Sequence, residues 1–312
     1  MSTRLRLLVT GAAGWIGSEV VREAGTRRGE LELFTTDIVP TPPTEVPFLS
    51  GNLCDPEFAK QLLCWAEPDV ILHLAGTNHN APVDLHWRLN VGGTVNLLDA
   101  CLIHEWAGHF VNLGSAAEYG RHPERTLYDE EMPCEPKGAY GISKYLQFQS
   151  LSIFQSAGWT TTHVRLFNPV GPGIRPHLML GRLIAQVADA AHAGADPLRA
   201  ELWTPHPVRD YIALADVASI LVRLVTEGRT DPLLNLGTGK GHSVSDIVSA
   251  LGRVIGRDVE ATYTKRHMGQ GDVIVADIAR LRRWLPPNFS FTDVGTALQA
   301  TWADTLRVRP AG

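Results

Sequence analysis

Val9-Thr-Gly11-Ala-Ala-Gly14-Trp-Ile-Gly17 is the stretch on which the fold turns. An apolar run, Arg4–Thr10, leads into it, and an amphipathic run, Trp15–Arg28, leads out. Strand, glycine turn and helix in succession make the first half of a βαβ unit. Glycines at this turn let backbone N–H groups come close to a pyrophosphate, and the helix N-terminus favours the anion. Gly11, Gly14, Trp15, Ile16 and Gly17 are therefore candidate cofactor contacts. The spacing is GxxGxxG rather than GxGxxG, and three glycines alone can simply make a tight turn. Asp37 adds weight, because it ends the second candidate strand, Leu31–Asp37, about 20 residues beyond Gly17, where a carboxylate binds the adenosine ribose hydroxyls. Its bland alternative is a loop or helix-cap carboxylate. A carboxylate there repels a 2′-phosphate, and Ile38–Thr41 holds no Arg, so the pattern favours NAD over NADP.

Outward from the loop, short apolar runs alternate with longer helical ones. Candidate strands follow at Pro47–Asn52, Asp69–Ala75, Phe110–Ser115 and Thr161–Phe167, with candidate helices at Pro56–Trp65, Asp84–Trp106 and Gly138–Ala157. This rhythm predicts an α/β fold, a Rossmann-type doubly wound parallel sheet. After Asn168 the rhythm breaks at Pro169–Pro176 and again at Thr204–Pro207. Short strands (Leu233–Leu236, Ala261–Thr264) there mix with helices near Leu178–Ala193, Ala215–Thr226, Val244–Ile255 and Ile278–Leu285. The expectation is a smaller C-terminal α/β substrate lobe, with residues 1–168 as the cofactor domain, 169–312 mainly the lobe, and the two interleaved.

Composition narrows the class. The 312 residues are 44% hydrophobic and 20% charged, as in a globular protein with a core. Thirty-three acidic against 28 basic residues give a net charge of −5, with no basic run, which argues against nucleic acid or an anionic membrane surface. Cys54, Cys64, Cys101 and Cys134 form no CxxC pair and no metal-ligand spacing, so reduced thiols and no metal site are expected. The first apolar run is too short for a signal peptide and no stretch reaches transmembrane length, so a cytoplasmic location is expected.

Tyr140-Gly-Ile-Ser-Lys144 sets a phenol and an ammonium one helical turn apart on one face. A nearby ammonium and a cationic nicotinamide both favour phenolate and would lower the Tyr140 pKa toward working pH. Tyr140 would then take a proton from a sugar hydroxyl, Lys144 would hold the nicotinamide ribose, and Ser115, ending the fifth strand, would hydrogen-bond the same oxygen. YxxxK is also an ordinary amphipathic turn; its position downstream of the glycine loop and of a strand ending in Ser favours catalysis.

On these residues the chain resembles the extended short-chain dehydrogenase/reductase family, the NAD-dependent nucleotide-sugar epimerases and dehydratases in particular. The likeness runs over nearly the whole length. It rests on Thr10–Gly17, Gly51-Asn-Leu-Cys-Asp55, His73-Leu-Ala-Gly76, Asn90-Val-Gly-Gly-Thr94 and Ser115-Ala-Ala-Glu-Tyr-Gly120. It continues through Tyr140–Lys144, Arg165-Leu-Phe-Asn-Pro-Val-Gly-Pro172, Arg209-Asp-Tyr-Ile212 with Asp216, and Asn235-Leu-Gly-Thr-Gly239. The resemblance implies a homodimer of two-lobed subunits, with NAD in the first lobe and a nucleotide-diphosphate sugar in the cleft. It implies that Asn52, Leu53, Leu74, Ala75, Gly76 and Asn90 line the cofactor, with Phe167 on the nicotinamide side. Asn168, Arg209, Arg266 and Asp272 match positions for the sugar nucleotide. A guanidinium at 209 suits a diphosphate, and a salt bridge with the adjacent Asp210 is the structural alternative.

Departures from the family pattern carry information. Asn52 stands where Asp is usual, its amide oxygen still able to accept from adenine; Asn78 replaces a Lys; the loop Thr77–Val83, with His79, is unusual. Trp203-Thr-Pro-His-Pro-Val208 replaces the usual glycines, and Arg266 lies apart from Gly271-Asp272. Family dehydratases carry Asp-Glu after the catalytic Ser or Thr; here Ala116 and Ala117 occupy those positions and Glu118 turns elsewhere. The expectation is a C4 epimerase working by transient oxidation and hydride return. A 4-keto-6-deoxy-sugar reductase using NAD(P)H is the runner-up, and a non-catalytic NAD-binding regulator ranks below both. His73 is expected to pack and support backbone, and Trp203 to be a core aromatic.

Overall fold

The computed structural model describes residues 4–40, 46–77, 80–155, 158–264 and 272–308. The chain enters through β1 (Leu5–Thr10), α1 (Trp15–Gly25), β2 (Leu31–Asp37), β3 (Phe48–Ser50), α2 (Pro56–Ala66) and β4 (Val70–His73). A single turn, α3 (Val83–Leu85), runs into a π-helical stretch, His86–Gly93, and then α4 (Thr94–Ile103). β5 (His109–Ser115), a 3₁₀ turn (Ala116–Glu118), β6 (Leu127–Tyr128), α5 (Gly138–Gln155), β7 (Thr160–Leu166) and β8 (Asn168–Val170) follow. The remainder is α6 (Met179–His192), β9 (Leu198–Leu202), β10 (Val208–Ala213), α7 (Leu214–Thr226), β11 (Leu233–Leu236), β12 (Gly241–Ser243), α8 (Val244–Ile255), β13 (Val259–Tyr263), β14 (Val273–Ala276), α9 (Ala279–Arg282) and α10 (Val294–Val308).

The chain divides into two units. The first takes Met1–Gly120, Glu130–Leu166 and Val217–Asn235; the second takes Arg121–Asp129, Phe167–Asp216 and Leu236–Gly312. In the first, seven strands run in the order β11-β7-β5-β4-β1-β2-β3, and the neighbours from β3 to β7 pair in parallel. Leu7, Leu8, Val9 and Thr10 of β1 are all buried, as expected of a strand covered on both faces. Strand order reverses between β1 and β4, and in such sheets ligands sit beyond the carboxyl ends of the strands at that reversal. The glycine loop leaves β1 there, and Leu74–Gly76 leave β4 beside it.

The expected helix Asp84–Trp106 forms as one unbroken helical run, Val83 to Ile103, but its middle is not α-helical. Asn90 turns inward to bond Thr77 and Ser143, and Gly92-Gly93 lower the local α-helical preference, so the chain widens to a π-helix before α4.

In the second unit, β12, β10, β14 and β6 lie in that order, with β8 on β10, and β13 pairs with β9 separately. Leu183, Ile184, Val187, Leu198, Ile247, Leu251 and Leu298 pack its core. Apart from β13, its strands carry no clear signal in the sequence, nor does α10, and the expected helix Ile278–Leu285 contracts to α9. The strand expected at Leu233–Leu236 forms as β11, but it extends the seven-stranded sheet rather than the smaller ones. Asp277 accepts from Ala279 N at 2.8 Å to start α9, and Pro286 follows it closely. Among the described residues no helix is long and apolar enough to cross a membrane.

Candidate active site

The glycine loop is held by close backbone approach. Gly11 has φ +68°, and a Cβ on it would stand 2.7 Å from Ala75 N. A Cβ on Gly17 would stand 2.0 Å from Gly11 O. Both are positions where only hydrogen fits. Gly14 begins α1 with no side-chain cap, which leaves the first-turn N–H groups turned to an incoming anion. Trp15 and Ile16 are half-buried on that turn. Asp37 accepts from Ala13 N at 2.9 Å and from Ile38 N at 2.7 Å, one bond to each oxygen. The carboxylate thus both ties the loop to β2 and retains lone pairs for hydroxyls.

Asn52 spends its amide oxygen first on Cys54 N, at 3.0 Å, so adenine would have to share that acceptor. Leu53 buries its side chain in the core and offers its carbonyl to Asn96 Nδ2 at 2.9 Å. Beyond β4, a Cβ on Gly76 would lie 3.1 Å from Asn90 Oδ1 and 3.2 Å from Lys144 Nζ. Gly76, Asn90 and Lys144 therefore meet. Asn90 itself is buried, its amide engaged with Thr77 and Ser143, and it braces this corner from beneath.

A buried chain of side chains joins the loop to Lys144. Thr10 Oγ1 lies 2.7 Å from His73 Nδ1, His73 Nε2 lies 3.0 Å from Thr94 Oγ1, Gln147 Nε2 donates to Thr94 Oγ1 at 2.8 Å, and Lys144 Nζ donates to Gln147 Oε1 at 2.9 Å. Thr94 donates its own hydroxyl proton to Asn90 O, so His73 must donate to Thr94 through Nε2 and accept from Thr10 at Nδ1. Burial and, secondarily, the Lys144 charge pull His73 down to about 3, which keeps it neutral. The packing role expected of His73 is thus a polar one.

Tyr140 is hydrogen-bonded to Ser115, and the His86 ring lies 5.9 Å from its own. Burial pushes the phenol above its ordinary value; the Ser115 bond opposes this and the Glu118 charge adds to it. The Lys144 ammonium donates to Leu113 O and Gln147 Oε1, at 2.9 Å each. Burial, opposed by the Glu118 charge, brings Lys144 down to about 8.

Glu118 turns away from the reacting face, but not along the strand exit. Its carboxylate folds back under β5, fully buried, to accept from Ser115 N at 2.8 Å.

In the second unit Phe167 is buried, its amide bonded to Leu236 O at 3.0 Å. Asn168 donates its amide to Asp210 O at 2.9 Å, fastening β8 to β10. Arg209 pairs with Asp272, Nη2 to Oδ2 at 2.9 Å, and Arg121 reaches the same oxygen at 3.3 Å. The adjacent Asp210, the alternative partner that the sequence suggests, lies on the opposite face of β10. It is buried there and accepts from Thr238, Gly239 and Ala276. Trp203, expected in a core, is 65% exposed. Arg266, Gly271, Asn78 and His79 lie outside the described residues. No group of three or more His, Cys, Asp or Glu among the described residues could hold a metal ion.

The model of the NAD dependent epimerase/dehydratase family matches residues 7–237. The chain belongs to this family. It is an enzyme whose cofactor is NAD. UDP-glucose 4-epimerase of Streptomyces lividans is 31% identical, over 95% of this chain and 94% of its own. GDP-6-deoxy-D-mannose reductase of Pseudomonas aeruginosa is 27% identical over 89% and 85%. The crystal structure of Thermus thermophilus UDP-glucose 4-epimerase in complex with NAD superposes with a TM-score of 0.81 at 27% identity, covering 96% of this chain and 98% of that one.

The residues of this family member fit its dinucleotide: an uncapped helix N-terminus, glycines where Cβ atoms would strike backbone, and a carboxylate ending β2. Motif reading singled out the loop, Asp37, Ser115, Tyr140 and Lys144, and the structure bonds Asp37 to the loop and Ser115 to Tyr140. It missed Thr94 and Gln147 as the link to Lys144, although Gln147 lies one helical turn beyond Lys144. It also missed where Glu118 goes, which depends on residues of β7.

Proposed function

We propose that the chain is an NAD-dependent epimerase of nucleotide-diphosphate sugars that inverts C4. The reading is carried by one arrangement. Tyr140 is bonded to Ser115 with Lys144 one turn away, while the residues following Ser115 are Ala116 and Ala117 and the nearby Glu118 is buried under the strand. Elimination of water needs a second proton carrier beside the phenol, and this strand exit supplies none. Oxidation and return at a single carbinol needs only one. The likeness to UDP-glucose 4-epimerases supports the same choice, with UDP-glucose the first substrate to try.

NAD, when bound, would supply the hydride chemistry that oxidises and then restores the carbinol carbon. Tyr140, as phenolate, takes the proton of the sugar hydroxyl at Oη and later returns it; Ser115 shares that oxygen and keeps it aligned. Lys144 would hold the nicotinamide ribose and add positive charge beside the phenol. The α1 N-terminus with Gly11, Gly14 and Gly17 takes the pyrophosphate, and Asp37 the adenosine ribose. Arg209, aligned by Asp272, takes the substrate diphosphate.

We propose a homodimer through α4 and α5. Ile142, Leu146 and Ile153 lie along one face of α5 and Val95, Leu102 and Ile103 on α4, all exposed in the single chain. Large apolar side chains exposed on two helices of one unit favour an association site there.

Incubation with UDP-glucose and other nucleotide-diphosphate hexoses tests the function. A product isomerised at C4 with no net change in NADH absorbance supports it. Stoichiometric loss of NADH or NADPH on a 4-keto-6-deoxy sugar supports the reductase reading instead, which the likeness to GDP-6-deoxy-D-mannose reductase favours.

A further inference from the structure

We infer that Glu118, clamped by His163 and Arg165, is a positioning residue that sets Ser115, and through it Tyr140, for proton transfer; the inference rests on the catalytic roles proposed above.

The geometry begins with the register of two parallel strands. Asn112 lies beside His163 and Gly114 beside Arg165, so alternation puts all four on one side of the sheet. Gly114 leaves a gap on that side: a Cβ there would stand 2.2 Å from His163 Nε2 and 2.3 Å from Glu118 Oε1. The Glu118 carboxylate fills the gap. It accepts from Ser115 N at 2.8 Å, from Arg165 Nε at 2.9 Å and from His163 Nε2 at 3.0 Å. Asn112 Nδ2 donates to His163 Nδ1 at 2.8 Å, which fixes the proton on Nε2, toward Glu118. The Arg165 guanidinium is held over the Tyr119 ring at 4.4 Å and the Phe148 ring at 5.2 Å. Among the described residues it ion-pairs with Glu118 alone, and its Nη1 is buried with no partner.

The Glu118–Ser115 N bond closes a capping box on the 3₁₀ turn, whose other half is the Ser115 hydroxyl, accepting from Ala117 N at 3.2 Å. Such a box needs no further partner for its carboxylate, and here the carboxylate has two. Two further buried side chains and a glycine serve to hold one carboxylate against the amide of the residue that hydrogen-bonds the catalytic phenol. Ser115 is thus gripped by its backbone as well as engaged by its hydroxyl, which fixes the direction of the Oγ toward Tyr140. Burial raises the Glu118 carboxyl, but His163, Arg165 and the Ser115 amide outweigh it and keep it ionised.

Around Tyr140 stand Ser115, hydrogen-bonded to it, Lys144 one turn along its own helix and His86 from the π-helical stretch; Glu118 acts on the phenol by charge from beneath Ser115, with His163 and Arg165 behind it. Glu118→Gln leaves one acceptor oxygen for three donors, Ser115 N, His163 Nε2 and Arg165 Nε, so the grip on Ser115 loosens, and it removes the negative charge that raises Tyr140. The acid limb of kcat therefore moves to lower pH.

The test uses NAD-loaded full-length enzyme and the substrate that turns over. In Glu118→Gln, kcat falls about tenfold or more with KM for the sugar nucleotide within about twofold, since misalignment acts on the proton-transfer step. NAD content is unchanged. Glu118→Met with Arg165→Met removes both buried charges at similar volume, and covers the case in which Glu118→Gln fails to fold. It too loses kcat while remaining folded and NAD-loaded. Wild-type kcat and an unshifted acid limb in either folded, NAD-loaded variant overturn the inference. Tyr140→Phe in the same assay separates the two readings: loss of turnover there beside an unaffected Glu118 variant leaves the proposed function standing alone. Retained turnover in Tyr140→Phe removes both.

Discussion

His73 accepts the Thr10 hydroxyl proton at 2.7 Å, and this bond joins the end of the first strand, at the glycine loop, to a polar chain that ends on Lys144. The imidazole must stay neutral for the chain to hold, since a proton on Nδ1 would set two donors against each other. Thr10 also takes the amide of Ala75 at 3.2 Å, so the floor of the cofactor corner and the position of Lys144 depend on one another.

Stability therefore depends on pH through His73. Its value is about 3 in the fold against 6.5 when free, so the unfolded chain binds a proton that the fold excludes as pH drops below 6.5. The loss runs at up to about 1.4 kcal/mol per pH unit over that window. His109, held by burial at about 4, adds to it between 6.5 and 4. Tm measured from pH 7 to pH 4.5 should fall steadily, and His73→Gln, which takes up no proton, should flatten the slope. An unchanged slope counts against the buried neutral imidazole.

Gly17→Ala places a methyl 2.0 Å from Gly11 O, a backbone atom with no room to yield. The loop must shift, and NAD affinity should drop about tenfold or more, a loss of about 1.4 kcal/mol or greater. Co-purifying NAD and a titration of the stripped protein read this directly. Asp37→Ala should narrow the difference between NAD and NADP affinity in the same titration.

Tyr140→Phe removes the phenol and retains the ring. Turnover should fall by roughly 10²–10⁴, the range for a positioned acid–base group, with NAD retention unchanged. Lys144→Met should reduce both turnover and NAD retention, because Lys144 lies against Gly76 and within the polar chain.

Asp210→Ala leaves the amides of Thr238, Gly239 and Ala276 buried around an empty acceptor position. The loss should be about 3 kcal/mol or more, since each abandoned donor carries its own desolvation penalty. Asp210→Asn, which keeps one acceptor oxygen, should lose less. Urea denaturation of the two variants ranks them; equal midpoints would falsify the role assigned to this carboxylate.

Much of the first unit was legible in the sequence because its signals are local. A strand buried on both faces reads as an apolar run, a helix beside it as a period of three to four, and a turn that must approach a ligand as glycine. Gly11 to Gly17, Asp37, Ser115 and the Tyr140–Lys144 turn stand out in the sequence by residue type and spacing. In the second unit β10 opens Val208-Arg-Asp210, whose charged residues break the apolar run that marked the strands of the first, and α10 carries Thr and Gly among its apolar positions.

Tertiary structure alone decided which polar groups meet. Arg209 found Asp272 rather than its neighbour Asp210 because adjacent residues on a strand face opposite ways and β14 brings Asp272 alongside. Lys144 turned to Leu113 and Gln147 because a buried ammonium needs hydrogen-bond acceptors, whatever its spacing from Tyr140. Glu118 looked like an idle acid in a turn until the register of β5 on β7 set His163 and Arg165 beneath it. A sequence fixes side-chain type and local direction, whereas a buried charge is placed by whichever distant residues can satisfy it.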